Sequence, residues 1–358
     1  MLSQKQSSFL IIGVMSGTSL DGLDLVATKF DFKEGAWHFE IALAKTFPYP
    51  TALVDQLRKV VEAKNEQIEY LDHTLGQFIG NTINIFSKGL DKKVDFVASH
   101  GHTVFHQPDR GYTLQIGNGR LISEVCGLPV INNFRESDVK LGGQGAPLVP
   151  IGDRDLFSAF EYSLNLGGIA NISLRKAGEM LAYDICPFNM ALNDLSEQLG
   201  FAYDDQGQLA SEGNLNIELL GALNSVSYLD KKHPKSLGIE DYKAEWLPLI
   251  VASSISLKDK MCTYTEHAAI QVAKVLEDGD VSKKVLVTGG GAFHQYFLSR
   301  LEQLSQPTIH VPDELTINFK EALVFAYLGL LRYLGKPNCL KSVTGAEKDN
   351  SGGDLYNF

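Results

Sequence analysis

Between residues 13 and 24 the chain places three glycines, three hydroxyl side chains and two carboxylates: Gly13, Gly17 and Gly22; Ser16, Thr18 and Ser19; Asp21 and Asp24. Glycine lets a backbone turn sharply and approach a ligand closely. Backbone N–H groups exposed in such a turn, with hydroxyls beside them, can cradle phosphate oxygens. The two carboxylates suit a magnesium ion, held directly or through water, or a substrate hydroxyl. No Lys-Ser or Lys-Thr follows the glycines, so this is not a P-loop, and the G-x-G-x-x-G spacing of a dinucleotide site is absent. A Gly-rich hairpin has the same composition, so these residues alone leave the function open.

Further candidates lie downstream. His100, His102 and His106 follow an apolar run, and ligands of α/β sheets bind at such strand ends. With Asp109 they could ligate zinc in a hydrolase, but no catalytic-metal motif completes their spacing. Asp184 ends another apolar run, Gly289, Gly290 and Gly291 end a third, and Glu321 opens an apolar segment reaching residue 333.

Elements must position these residues. Residues 9–12 read as a buried strand entering the first turn; 25–32 and 37–43 alternate as strands, with Gly35 at the turn between them. Residues 51–62 read as a short helix. Ile68, Leu71, Leu75, Ile79, Ile83 and Phe86 recur at spacings of three or four, predicting a long amphipathic helix whose apolar stripe is core. Strands are expected at 96–99, 112–116 and 129–134, with a short helix at 120–126. The Gly- and Pro-punctuated stretch 135–150 reads as an irregular loop at a domain junction. The second half then starts over: strand, Gly turn and strand over 162–174, a strand ending at Asp184, and a helix from Asn189. Lys284 to Thr288 reads as a strand entering the second Gly-rich turn, followed by a helix over 294–304.

Composition bounds the function. The 358 residues are 44% hydrophobic and 21% charged, which suits a soluble globular protein of about two domains. A net charge of −11 without a basic block argues against nucleic acid. No apolar run reaches the ~18 residues of a membrane span. Cys126, Cys186, Cys262 and Cys339 lack metal-type spacing and read as reduced thiols, and no signal-peptide apolar region precedes the first strand, so a cytoplasmic location is expected.

The chain resembles the anhydro-N-acetylmuramic acid kinases, of the actin/hexokinase/Hsp70-like ATPase superfamily. The resemblance runs through residues 13–24, 99–103 (SHGHT), 113–117, 142–150 (GGQGAPLVP), 165–171 (NLGGIAN), 235–238, 289–292, 321–323 and 342–346. It implies an α/β, two-lobed actin/hexokinase-like ATPase fold with the active site in the interdomain cleft. The N-terminal lobe is expected over 1–135, with the tail 336–358 packing back on it, and the C-terminal lobe over 136–335.

The implied activity uses ATP and Mg2+ to open the 1,6-anhydro bridge of anhydro-N-acetylmuramic acid and phosphorylate the freed O6. The product is N-acetylmuramic acid 6-phosphate, in peptidoglycan recycling. By motif, Gly17, Thr18, Ser19, Leu20, Asp21, Gly22, Leu23 and Asp24 hold the nucleotide phosphates, with Asp21 and Asp24 as the magnesium candidates. Gly289, Gly290 and Gly291 line the nucleotide side; Asp184 is the catalytic base; His100 and Glu321 lie near the sugar. The implied partners are the amino sugar and ATP, with a homodimer as the family's common assembly and neither nucleic acid nor membrane.

The chain departs from the family where Asp-Thr-Gly-Pro-Gly-Asn becomes Asp184, Ile185, Cys186, Pro187, Phe188, Asn189, and where His102 replaces a glutamine. The first change bears on turnover, and leaves a sugar- or nucleotide-sensing module without catalysis as an alternative. Each site residue also has a plainer use: Asp184 as a helix cap, His100 as a structural histidine, and Glu321 as a favourable charge in a helix's first turn.

Overall fold

A computed structural model describes residues 7–17, 20–276 and 282–357. The chain divides into two compact units, one made of residues 1–157 and 319–358, the other of residues 158–318.

The first unit is built on a six-stranded sheet. Strands β1 (Ser8–Ser16), β2 (Leu23–Lys33) and β3 (Ala36–Phe47) form an antiparallel meander. Strand β4 (Phe96–Ser99) then lies parallel to β1. Strands β5 (His102–Gln107) and β6 (Tyr112–Ile116) form a separate hairpin. β7 (Val130–Asn132) returns to the main sheet, parallel to β4. The predicted long helix spans Asn65–Ser87, and the six apolar residues that predicted it are all buried. They join Ile12, Val14, Leu25 and Val97 in this unit's core.

The second unit repeats the plan. Strands β8 (Tyr162–Leu166), β9 (Ile169–Lys176) and β10 (Glu179–Pro187) form a meander, and β11 (Lys284–Thr288) and β12 (Thr308–His310) add in parallel. The order β10-β9-β8-β11-β12 matches β3-β2-β1-β4-β7 position for position. The last strand, β13 (Asp354–Tyr356), pairs with β7 and extends only the first sheet.

Residues 136–157 and 319–335, expected in the C-terminal lobe, belong to the first unit. The stretch 135–150 is not wholly irregular, because Glu136–Lys140 is helical. Its fully buried Asp138 accepts from Gly145 N (2.8 Å), Thr344 Oγ1 (2.9 Å) and Asn350 Nδ2 (2.6 Å), which ties the stretch to the C-terminal tail. The helix Glu314–Tyr333 packs its backbone on β1, where Gly13 leaves no room for a Cβ against the Ala322 carbonyl. That approach fixes the neighbouring Glu321 beside the first sheet. Glu321 therefore stands about two turns inside the helix rather than in its first turn, so the helix-end use of its charge does not apply.

Candidate active site

In the first unit the stretch after β1 turns tightly. Leu20 N–H donates to Gly17 O at 3.3 Å, and Leu20 takes a left-handed φ of 60°, rare outside glycine. Thr18 and Ser19 lie outside the described residues. Leu23 is buried at the start of β2, and Gly22 has no space for a Cβ, which would meet Thr46 Cγ2 at 2.5 Å and Phe47 O at 2.9 Å. Asp21 is exposed. Asp24 accepts from Thr46 Oγ1 at 2.6 Å; burial raises its pKa, the Thr46 bond opposes that, and the nearby Asp21 charge adds to it. Two repelling carboxylates beside a turn are suited to a cation that relieves the repulsion, and magnesium in phosphate sites takes only one or two carboxylates. The donor set fits the ion.

Ser16, expected to join the phosphate cradle, is buried and already engaged. Tyr49 donates to its Oγ at 2.7 Å, and Ser16 Oγ meets His102 Nδ1 at 3.1 Å. Burial pushes the Tyr49 hydroxyl up to about 12 and pulls His102 down. Ser16 Oγ thus bridges Tyr49 and His102, and this chain braces the end of β1.

His100 is also occupied. Its Nδ1 donates to Gly101 O at 2.9 Å and its Nε2 accepts from Arg135 Nε at 3.0 Å. Both bonds require the neutral ring; burial and the Arg135 charge hold its pKa well below the ordinary histidine value. Both ring nitrogens are thus engaged within the protein, one by Gly101 and one by Arg135. In the sequence Arg135 reads only as the start of a loop. Glu321 is exposed to water although protein surrounds its carboxyl; desolvation raises its pKa, Arg135 lowers it and Asp24 raises it. His106 Nδ1 pairs with Thr113 Oγ1 at 3.1 Å. Among the described residues no three His, Cys, Asp or Glu side chains are grouped to hold a metal, so the zinc hydrolase is not favoured.

In the second unit Asp184 lies on β10, where the pairing with β9 slips between Asp184 and Cys186. A bulge of this kind re-aims side chains. Leu237 N donates to Asp184 Oδ2 at 2.8 Å, while Oδ1 has no protein partner among the described residues and is not sealed from solvent. Burial raises the Asp184 pKa, against the Leu237 bond and the Lys235 charge. Leu237 and Lys235 were legible only as family motif. A carboxylate with one oxygen anchored, the other open and its basicity increased can accept a proton from water. Asp184 caps no helix; the helix Asn189–Gln198 starts with its first N–H groups bonded to the carbonyls of Gly167 and Gly168.

The departures from the family pattern point inward. Ile185, Cys186 and Phe188 are 3%, 0% and 0% exposed. The Phe188 ring lies edge-on to Phe297 at 4.7 Å and fills the space a Cβ on Gly291 would need. They repack the core, Phe188 beside the turn at Gly291, and give no support to a non-catalytic sensor. Gly289 takes a left-handed φ of 81° and Ala292 N bonds back to its carbonyl at 2.9 Å, forming the turn with Gly290 and Gly291.

No helix among the described residues is long and apolar enough to cross a membrane, and all four cysteines are free thiols.

The family model for anhydro-N-acetylmuramic acid kinase matches residues 9–357. The anhydro-N-acetylmuramic acid kinase of Vibrio parahaemolyticus is 34% identical, over 97% of this chain and 98% of its own length. That of Acinetobacter baylyi is 34% identical over 94% and 96%, and that of Salinibacter ruber 33% over 98% and 97%. With a match over nearly its whole length and two α/β units of repeated topology, the chain belongs to the anhydro-N-acetylmuramic acid kinase family.

Proposed function

We propose that the protein uses ATP to convert 1,6-anhydro-N-acetylmuramic acid and water into N-acetylmuramic acid 6-phosphate, as a soluble cytoplasmic enzyme of peptidoglycan recycling. Asp184 takes a proton from the water that attacks C1. The C1–O6 bond breaks, and O6 attacks the γ-phosphorus as it leaves carbon, releasing ADP. The turn from Gly17 to Asp24 holds the phosphates, and Gly289 to Gly291 line the nucleotide side. Magnesium, carried near Asp21 and Asp24, neutralises charge on the phosphates when bound. Glu321 accepts from a sugar hydroxyl, and His100, held by Gly101 and Arg135, lies near the sugar.

The observation that carries this reading is the state of Asp184: one oxygen fixed by Leu237, the other without a partner among the described residues, its pKa raised. The test is ADP release with no sugar, with the anhydro sugar and with glucose. Release should depend on the anhydro sugar, because productive binding of the right acceptor completes such sites. Equal rates in all three would refute the acceptor, and turnover with glucose alone would indicate a hexose kinase.

A further inference from the structure

We infer that Lys235 is a positioning residue for Asp184: its ammonium fastens the segment 228–237 into the loop that grips Asp184 by backbone and side chain. The inference rests on the reading of Asp184 as the base. Three bonds join the segment to Asp184: Tyr228 Oη donates to Asp184 O at 2.9 Å, Asp184 N donates to Lys235 O at 3.2 Å, and Leu237 N donates to Asp184 Oδ2 at 2.8 Å. Residues 231–238 form neither helix nor strand, so no backbone ladder holds them in this shape. The half-buried Lys235 supplies a fastening. Its Nζ donates to Leu229 O at 3.1 Å and, more weakly, to Tyr228 O at 3.5 Å. The same Nζ lies 4.7 Å from the centre of the Tyr228 ring and 6.0 Å from that of Tyr183. The carbonyls hold the ammonium by charge-assisted bonds and the rings hold it by cation–π attraction. One cation thus joins both ends of the segment to the β10 residue that precedes Asp184.

Placement matters because a reacting group about 1 Å out of line can lose on the order of 10²-fold in rate. The charge matters as well. Burial raises the Asp184 pKa, and the Lys235 ammonium opposes it by favouring the ionised carboxylate. The neighbouring groups do not supply this effect. Tyr228 and Cys186 are driven up by burial, Cys186 to about 12, and stay neutral. Burial lowers the pKa of Lys235; Cys186, Asp230 and Asp184 raise it, and Lys231 lowers it. Asp241 bears on Tyr228, and the exposed His233 stacks on Tyr183 with ring centres 5.5 Å apart. A phosphate ligand is the rival use of the ammonium. An ammonium has three N–H donors, and those directed at Leu229 and Tyr228 are spent on the loop.

The test is an NMR pH titration of the Asp184 carboxyl carbon in the full chain, its resonance assigned by its loss in Asp184→Asn. It is paired with kcat and KM for ATP and the anhydro sugar. Lys235→Met keeps the apolar stem and removes the ammonium. It should move the Asp184 midpoint to higher pH and lower kcat roughly 10-fold to 100-fold, with both KM values within about twofold of wild type. Lys235→Arg keeps the charge and can stack on the rings, so it should hold the wild-type midpoint and recover most of kcat. Tyr228→Phe removes one bond but no charge, and should lower kcat without moving the midpoint. Should Lys235→Met fail to fold, Lys235→Gln keeps a donor for the Leu229 carbonyl but not the charge, and should raise the midpoint in the same way. An unmoved midpoint in the neutral variants would overturn the inference. So would a loss confined to KM, the mark of a lysine that binds a ligand. The titration needs no turnover: a raised midpoint in Lys235→Met, with a wild type that releases no ADP, would sink the kinase reading and leave Lys235 as the group that holds Asp184.

Discussion

The backbone N–H of Leu237 donates to Asp184 Oδ2 at 2.8 Å and leaves Oδ1 without a protein partner among the described residues. One oxygen is held and the other is available, so position and chemistry can be separated. Asp184→Asn should keep the fold, because asparagine can still accept from Leu237. It should lose roughly 10²-fold to 10⁴-fold in turnover, the scale of a positioned base. Ring opening and phosphorylation should fall together, measured by product analysis. Ring-opened sugar accumulating without phosphate would rule out the coupled step.

The raised pKa of Asp184 has a direction in pH. The base is active only when ionised, so kcat/KM should fall on the acid side with a midpoint above the ordinary carboxylate value of ~4. A wild-type acid limb at or below that value would contradict a buried, desolvated base.

The same shift predicts a gain in stability. In the native state Asp184 holds its proton more tightly than in the unfolded chain. Its favourable contribution is therefore complete below the unfolded pKa and is lost as pH rises through the native one. Asp184→Asn should melt with the wild type at about pH 3 and above it at about pH 7.5, a trade of stability for activity. Melting curves that coincide at both pH values would argue against the desolvation.

Ser16 links Tyr49 to His102 by bonds of 2.7 and 3.1 Å. Ser16→Ala should cost about 1–3 kcal/mol, because it strands two buried polar groups. Tyr49→Phe, which removes one partner and strands less, should cost about 1 kcal/mol. Both should weaken ATP binding if the chain braces the Gly17 turn. Denaturant titration and ATP affinity check this; an Ser16→Ala protein as stable as wild type would show the chain to be idle.

Gly291 and Phe188 share one space. Gly291→Ala should cost about 1–3 kcal/mol by overpacking. Combined with Phe188→Leu, the loss should be less than additive, since the smaller side chain makes room. Additive losses in denaturant titrations would show that the two do not compete.

Hydrophobic spacing and glycine placement were enough to read the strand-turn-strand openings of both halves and the helix Asn65–Ser87, because those signals are local. Asp184 and Glu321 are candidates that the family motif alone names. Tertiary structure decided which candidates are spent. His100 and Ser16 look like ligand-facing groups in sequence, but residues distant in the chain, Arg135 and Tyr49, consume their hydrogen bonds. It also put residues 136–157 and 319–335 in the first unit, where Asp138 bonds Thr344 and Asn350 and Ala322 packs on Gly13. Local sequence dictates backbone periodicity. Whether a polar atom is available to a ligand depends on which partners, more than 30 residues away for Arg135 and His100, folding brings within hydrogen-bond reach.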